Sequence, residues 1–177
     1  LLLASLVFHA WGEPVYRFLM IVSIIANWGF GVAIGSAHGL ARKALLALDV
    51  AANLDILGFF KYEGFLAANV NALLGYALIP DLQLPLPIGI SFYTLQALSY
   101  VVDVYRDEVP PQRNPLYLGM HIAMFPQPVA GPIVRYSTIQ DQILHRRESL
   151  RDFAAGARLF CVGLAKKVLL ANTVAIL

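Results

Sequence analysis

The stretch Phe125-Pro-Gln-Pro-Val-Ala-Gly-Pro-Ile-Val-Arg-Tyr136 decides how this chain folds. It follows LYLGMHIAM (116–124), an apolar run that reads as the first half of a membrane helix. Pro126, Pro128, Gly131 and Pro132 then interrupt it, with Gln127 among them and Arg135 just after. An interior proline removes a helix hydrogen bond and clashes with the preceding turn, at about 3 kcal/mol or more. A helix that carries three of them is kinked or broken there.

The surrounding composition explains why a span is expected at all. The 177 residues are 59% hydrophobic and 14% charged. Soluble domains run at roughly 45–50% apolar and about 25% charged. The balance points to a membrane protein, and a net charge of +2 implies no nucleic-acid partner. The beginning, LLLASLVFHAW, has no Met and no basic leader, and both ends read as cut spans. The expectation is an internal fragment, from the N-terminal half of a longer polytopic chain. The single cysteine, Cys161, excludes an internal disulfide and reads as a small buried hydrophobe. No zinc spacing, phosphate loop, dinucleotide fingerprint or repeat is present, so no metal site is expected.

A spanning helix needs roughly 20 mostly apolar residues. Leu1 to Trp11 reads as the tail of one span, with Gly12-Glu13-Pro14 as a turn and Trp11 as an interfacial anchor. A second span is expected over 15–37, with Arg17 near enough to its end to snorkel. HGLARK (38–43) reads as a short basic loop, and a third span over 44–60 closes at Lys61 and Tyr62. Phe65 to Leu78 is short and carries Asn69, Asn71 and Gly75, which suits an interfacial or re-entrant helix. Segment 88–105 is strongly apolar, RDEVPPQRNP (106–115) is a polar loop, and 135–149 is polar and basic. Ser149 reads as an N-cap, with Asp152 three residues on as an imperfect capping box. Leu150 to Ala165, with Arg158 at its middle, reads as an amphipathic interfacial helix, and a further span begins at Val168.

The basic residues test this layout, because cytoplasmic loops are enriched in Lys and Arg. With one crossing per apolar segment, 38–43 and 106–114 share a side, and 61–83, with Lys61 alone, lies opposite. A crossing by 116–134 would then place Arg135, Arg146, Arg147 and Arg151 away from the other basic loops. The conflict disappears if 116–134 enters the bilayer and returns to the same face, as prolines and a glycine allow where protein or a wet cavity surrounds the backbone. A Pro-kinked ordinary span is the alternative. The expected fold is all-α: a polytopic membrane bundle with a re-entrant or broken helix and interfacial helices, all 177 residues belonging to one membrane-embedded domain.

Polar residues at membrane depth mark candidate sites. Tyr93, Gln96, Tyr100 and Asp103 fall at i, i+3, i+7 and i+10, one side of a helix. They read as the lining of a passage, joined by Gln127, or as interhelical hydrogen-bonding groups. Asp49 and Asn53 share one face of the third span, and Asp55 lies on another. Of the four histidines, His38 and His145 read as solvated and His9 lies near an interface; His121 is the one to consider for chemistry, though it reads first as a hydrogen-bonded structural group.

LPIGISFYTLQALSYVVDVYR (86–106), RNPLYLGMHIAMFPQPVAGPIVRY (113–136) and GLAKKVLLAN (163–172), with FFKY at 59–62, resemble the membrane-bound O-acyltransferase family. Within it the likeness is to the bacterial alginate O-acetyltransferase branch, which is related to the membrane component of teichoic-acid D-alanylation. Pro128 and Asn172 depart from the family pattern, which has an aliphatic residue and Asp there. The resemblance implies a multi-pass enzyme of the bacterial cytoplasmic (inner) membrane. It implies transfer of an acyl group, acetyl above all, onto hydroxyls of an exported polysaccharide such as alginate. No bound cofactor is implied; acetyl-CoA or another activated acyl donor is a substrate. Partners would be the bilayer, the polysaccharide acceptor and periplasmic acetylation proteins. The family's active histidine lies downstream of these motifs and no histidine here matches it, so the fragment alone would be inactive. Arg106 and Arg135 become candidates for meeting an anionic donor or carrier. A secondary transporter and a non-catalytic subunit of an export complex are the competing readings.

Overall fold

The computed structural model describes residues 2–12, 15–76, 80, 85–124, 134–145 and 149–174. Every regular element among them is helical. The chain divides into two compact units, Leu1–Gln140 and Asp141–Leu177.

The first unit is organised around α2 (Tyr16–Ser36), which packs against α1 (Leu2–Gly12), α3 (Gly39–Leu74), α4 (Ile90–Tyr105) and α5 (Pro115–Ala123). Glycines allow α2 to come so close to α4 and the loop after it. A Cβ on Gly31 would lie 2.6 Å from the Tyr100 ring, and one on Gly35 would lie 2.5 Å from Pro111. Asn27, Gly31 and Gly35 follow at four-residue spacing, so a polar side chain and two bare backbone patches share one stripe. Asn27 uses that position to exchange amide hydrogen bonds with Asn53 of α3. Its Nδ2 donates to Asn53 Oδ1 at 3.2 Å, and Asn53 Nδ2 donates back at 3.1 Å. Asn53 Nδ2 also donates to the Asp49 carbonyl at 2.9 Å, and Asp49 is buried beside it. The shared face expected for Asp49 and Asn53 is thus an α2–α3 interface, while Asp55 is exposed.

Three boundaries differ from the sequence reading. The span expected to close at Lys61 does not close: α3 runs 36 residues, through Lys61, Tyr62 and the segment read as a separate interfacial helix. Lys and Glu are good helix formers, and charge alone ends a membrane-length stretch but not a helix. The helix stops where Gly75 adopts φ +74° and its N–H donates to the Asn71 carbonyl. The basic loop 38–43 is mostly the first turn of α3, leaving Ala37 and His38 as the connection. Residues 135–149, read as a polar loop, contain α6 (Tyr136–Leu144).

Among the described residues, α2 is the one helix long and apolar enough to cross a membrane. The all-helical expectation therefore holds, and multiple crossings pass to the proposals below. The turn FPQPVAGPI (125–133), with Gln127, lies outside the described residues, and with it the re-entrant reading. The approach to it is described: Asn114 caps α5, its Oδ1 accepting from the Leu116 N–H at 2.9 Å with Pro115 in the first turn. The helix ends after Ala123, with Met124 at ψ 102°.

The end of α4 is closed by a helix cap and an ion pair. Asp107 sits at φ +61°; its N–H donates to the Val104 carbonyl, and the Glu108 N–H donates to the Asp103 carbonyl. These are the two bonds of a Schellman cap. Arg42, from the start of α3, grips the same corner. It donates to both Asp107 carboxylate oxygens, at 2.6 and 3.1 Å, and to the Val104 carbonyl at 3.0 Å.

In the second unit, the expected cap at Ser149 is present. Ser149 Oγ accepts from the Asp152 N–H at 3.1 Å and donates to the Asp152 carboxylate at 2.6 Å. The helix it starts, α7 (Leu150–Ala165), continues through a π-helical turn over Lys166–Ala171 into Asn172–Val174. The interfacial helix and the following span are therefore one helix. None of α7 is buried, and Cys161, expected to be buried, is exposed.

Candidate functional site

The stripe read along 88–105 is a buried face of α4. Tyr93, Gln96 and Asp103 are each 2% exposed and Tyr100 is fully covered. Period 3.6 puts them on one side, and leucines and valines take much of the remainder, so the helix has little choice about which side turns inward.

Opposite them stand His121 of α5 and Tyr136 of α6. Gln96 Nε2 donates to the His121 carbonyl at 2.8 Å and lies 3.3 Å from His121 Nδ1. An amide nitrogen only donates, so Nδ1 is the acceptor and the geometry assigns the imidazole proton to Nε2. That Nε2–H is buried and has no hydrogen-bond partner among the described residues. The His121 ring meets Tyr136 edge to face, with centroids 5.2 Å apart, and Tyr136 meets Tyr100 likewise at 5.1 Å. Gln112 ties the two tyrosines: its N–H donates to Tyr100 Oη at 3.0 Å and its Nε2 donates to Tyr136 Oη at 2.8 Å. Asp103 Oδ2 is a second buried polar atom without a partner among the described residues. Most buried polar groups in proteins are satisfied, so a donor and an acceptor left over on one polar seam call for an explanation. The seam offers a hydrogen-bond donor at His121 and an acceptor at Asp103 to whatever completes it.

At the end of α4 the two arginine candidates come together. Arg106 and Arg135 each reach Glu108 at 3.6 Å, on opposite carboxylate oxygens, and all three side chains are partly exposed. The trio carries a formal charge of +1, from two cations and one carboxylate. A second exposed pair, Arg42 and Asp107, shifts both titrations. Asp107 is held below the usual carboxylate range, chiefly by its hydrogen bonds from Arg42, and Arg42 is raised by the same bonds.

The structure thus gathers Tyr93, Gln96, Tyr100 and Asp103 on one face, and Arg106 and Arg135 around one acid; Gln127 is outside the described residues. Sequence reasoning missed Tyr136 and Gln112, which bridge segments far apart in sequence, and the Asn27–Gly31–Gly35 stripe. The last had a signal: two glycines four apart in an apolar helix, one turn after its single amide.

Comparison with known proteins agrees with the resemblance read in the sequence: along its length the chain is similar to curated proteins named for O-acetylation. It is 37% identical over its whole length to a Pseudomonas aeruginosa protein named "Probable alginate O-acetylase AlgI", covering 35% of that protein. It is 38% identical over 99% of its length to the protein of the same name from Pseudomonas syringae pv. tomato, again covering 35%. It is 34% identical over 99% of its length to a Helicobacter pylori protein named "Peptidoglycan O-acetyltransferase", covering 38%. The chain spans about a third of the length of these curated relatives. No family model matches it, and no solved structure does.

Proposed function

We propose that the chain is part of a membrane O-acyltransferase that moves an acetyl group from a cytoplasmic activated donor, such as acetyl-CoA, to hydroxyls of an exported polysaccharide. The observation that carries this reading is the match along the entire chain to proteins named for O-acetylation of two glycans, alginate and peptidoglycan. The acceptor is accordingly a polysaccharide such as alginate, and the setting is a multi-pass protein of the bacterial inner membrane. Residues 1–177 form part of one membrane-embedded domain that works with periplasmic acetylation proteins.

In this reaction a sugar hydroxyl oxygen attacks the acyl carbonyl, a base takes the hydroxyl proton, and the donor's thiol or carrier group leaves. The base is expected in the downstream part of the family's sequence. The present residues contribute the wall of the passage in which the two substrates meet. A seam buried within the helices, with a donor on His121 and an acceptor on Asp103 unpartnered among the described residues, supports that role. Arg106 and Arg135, with a net positive charge beside Glu108, suit an anionic donor or carrier at the cytoplasmic mouth.

Acetyl transfer by membranes containing the full-length protein tests the reading. Gln96→Leu, Asp103→Asn and Arg135→Ala should each lower transfer at normal expression. Unchanged transfer in all three sinks the passage assignment.

A further inference from the structure

A cavity of about 270 Å³ lies apart from the α4 seam's His121 end, where the end of α1 and the start of α2 meet the beginning of α4. Its lining is mostly hydrocarbon, from Phe8, Trp11, Met20 and Ile88, with His9 and the seam residue Tyr93 also on the wall. Met20 is 3% exposed and Trp11 is 92% exposed, so the cavity runs from the interior to the surface. With so much hydrocarbon on its walls, an apolar ligand gains by burial there.

Its position narrows the ligand. The wall includes the first turn of α2, the described helix long and apolar enough to cross a bilayer. A helix of 21 residues rises about 31 Å, close to the hydrocarbon thickness, so its first turn lies at the boundary between hydrocarbon and water. Trp11, beside that turn, has the exposure of an aromatic-belt residue. The apolar molecule available at that depth is a lipid chain.

Charge narrows it again. Arg17 lines the cavity, its guanidinium carbon 4.9 Å from the Phe18 ring centroid, and forms no ion pair among the described residues. A guanidinium presents a fork of donors matched to a phosphate. We propose that this cavity holds an acyl chain of an anionic phospholipid whose headgroup phosphate is met by Arg17. The inference rests on the reading of the chain as membrane-embedded, but not on the acetyl-transfer chemistry.

Native mass spectrometry of the full-length protein, released from detergent with phosphatidylglycerol or phosphatidylcholine added, tests it. The wild type should retain phosphatidylglycerol preferentially. Arg17→Ala should remove the preference, an effect of about tenfold in retention from one lost charge-assisted contact. Ile88→Trp should fill the cavity and abolish retention of both lipids; Ile88 is half-exposed, so the fold can accept the change. Gly12→Leu fills it independently, since a Cβ there meets only Ile88 Cδ1, at 3.9 Å. Retention unchanged in both filling variants overturns the site. A preference kept by Arg17→Ala overturns the headgroup assignment. A wild type that retains neither lipid means that the protein's own chain fills the cavity, and the proposal is wrong. Acetyl transfer measured on the same membranes keeps the two readings apart, because a failed lipid site with normal transfer leaves the proposed function standing.

Discussion

The middle of α4 and its C-terminal end are built on opposite terms. At the end, the Schellman bonds of Asp107 and Glu108 and the fork from Arg42 close the corner around an exposed Asp107, with Arg42 Nε left without a partner among the described residues. In the middle the polar groups are buried, and His121 Nε2 and Asp103 Oδ2 have no partner among the described residues. Satisfaction costs least where solvent can substitute, and its absence costs most where solvent cannot. A corner held by a helix cap and an ion pair is scaffold. A buried seam with a spare donor and a spare acceptor is set up for something that joins it. Substitutions in the two regions should therefore separate stability from activity.

The largest effect should come from Gly31, on which the middle of α4 rests. Gly31→Leu drives a side chain into the Tyr100 ring, 2.6 Å from the new Cβ. Overpacking of this kind costs about 1–3 kcal/mol and sometimes more. Yield and thermal stability of the full-length protein should fall together with acetyl transfer. If Gly31→Leu is as stable as wild type, the close α2–α4 approach is not present in the full protein.

Gln96→Leu comes next. It removes the donor to the His121 carbonyl and to Nδ1, leaving buried acceptors unpaired at about 1–3 kcal/mol. It also frees the imidazole to change tautomer. Transfer should drop about tenfold or more, by the same energy. Asp103→Asn then sharpens the comparison. The change keeps the shape and one acceptor while turning a carboxyl oxygen into an amide donor. Asp103 has an unpartnered oxygen, so nothing described here loses a bond. Melting temperature should hold while transfer falls. A variant that loses stability and keeps transfer would make Asp103 part of the scaffold.

How much of this was readable beforehand follows the same division. The buried face of α4 was legible because Tyr93, Gln96, Tyr100 and Asp103 repeat at helical spacing, and periodicity is a local property. Its partners were not, since Gln112 and Tyr136 reach the seam only through the tertiary fold. The continuity of α3 was missed for a different reason. A membrane-length ruler stops at Lys61, whereas a helix asks only for residues that keep its backbone bonds, and Lys61, Tyr62 and Glu63 do. The Asn27 and Asn53 pair stood in the sequence as two isolated amides; only packing of α2 on α3 shows that each satisfies the other.

The smallest effect belongs to the closed corner, and pH reveals it. Arg42 holds Asp107 below the usual carboxylate range by hydrogen bonding to its charged form. A carboxyl whose folded value is depressed binds protons less readily in the native state than in the unfolded one. Its stabilising contribution is therefore complete above the unfolded value of about 4 and disappears as pH falls through the lower folded value. Asp107 is exposed, so solvent screens the pair and the effect on melting temperature should be slight. Asp107→Asn should melt a little below wild type at neutral pH, and the gap should close in acid. Arg42→Lys should show the same pattern, because an ammonium cannot span both carboxylate oxygens. Acetyl transfer at neutral pH should be unchanged in both variants; a loss there would move the corner from scaffold to site and erase the contrast with the middle of α4.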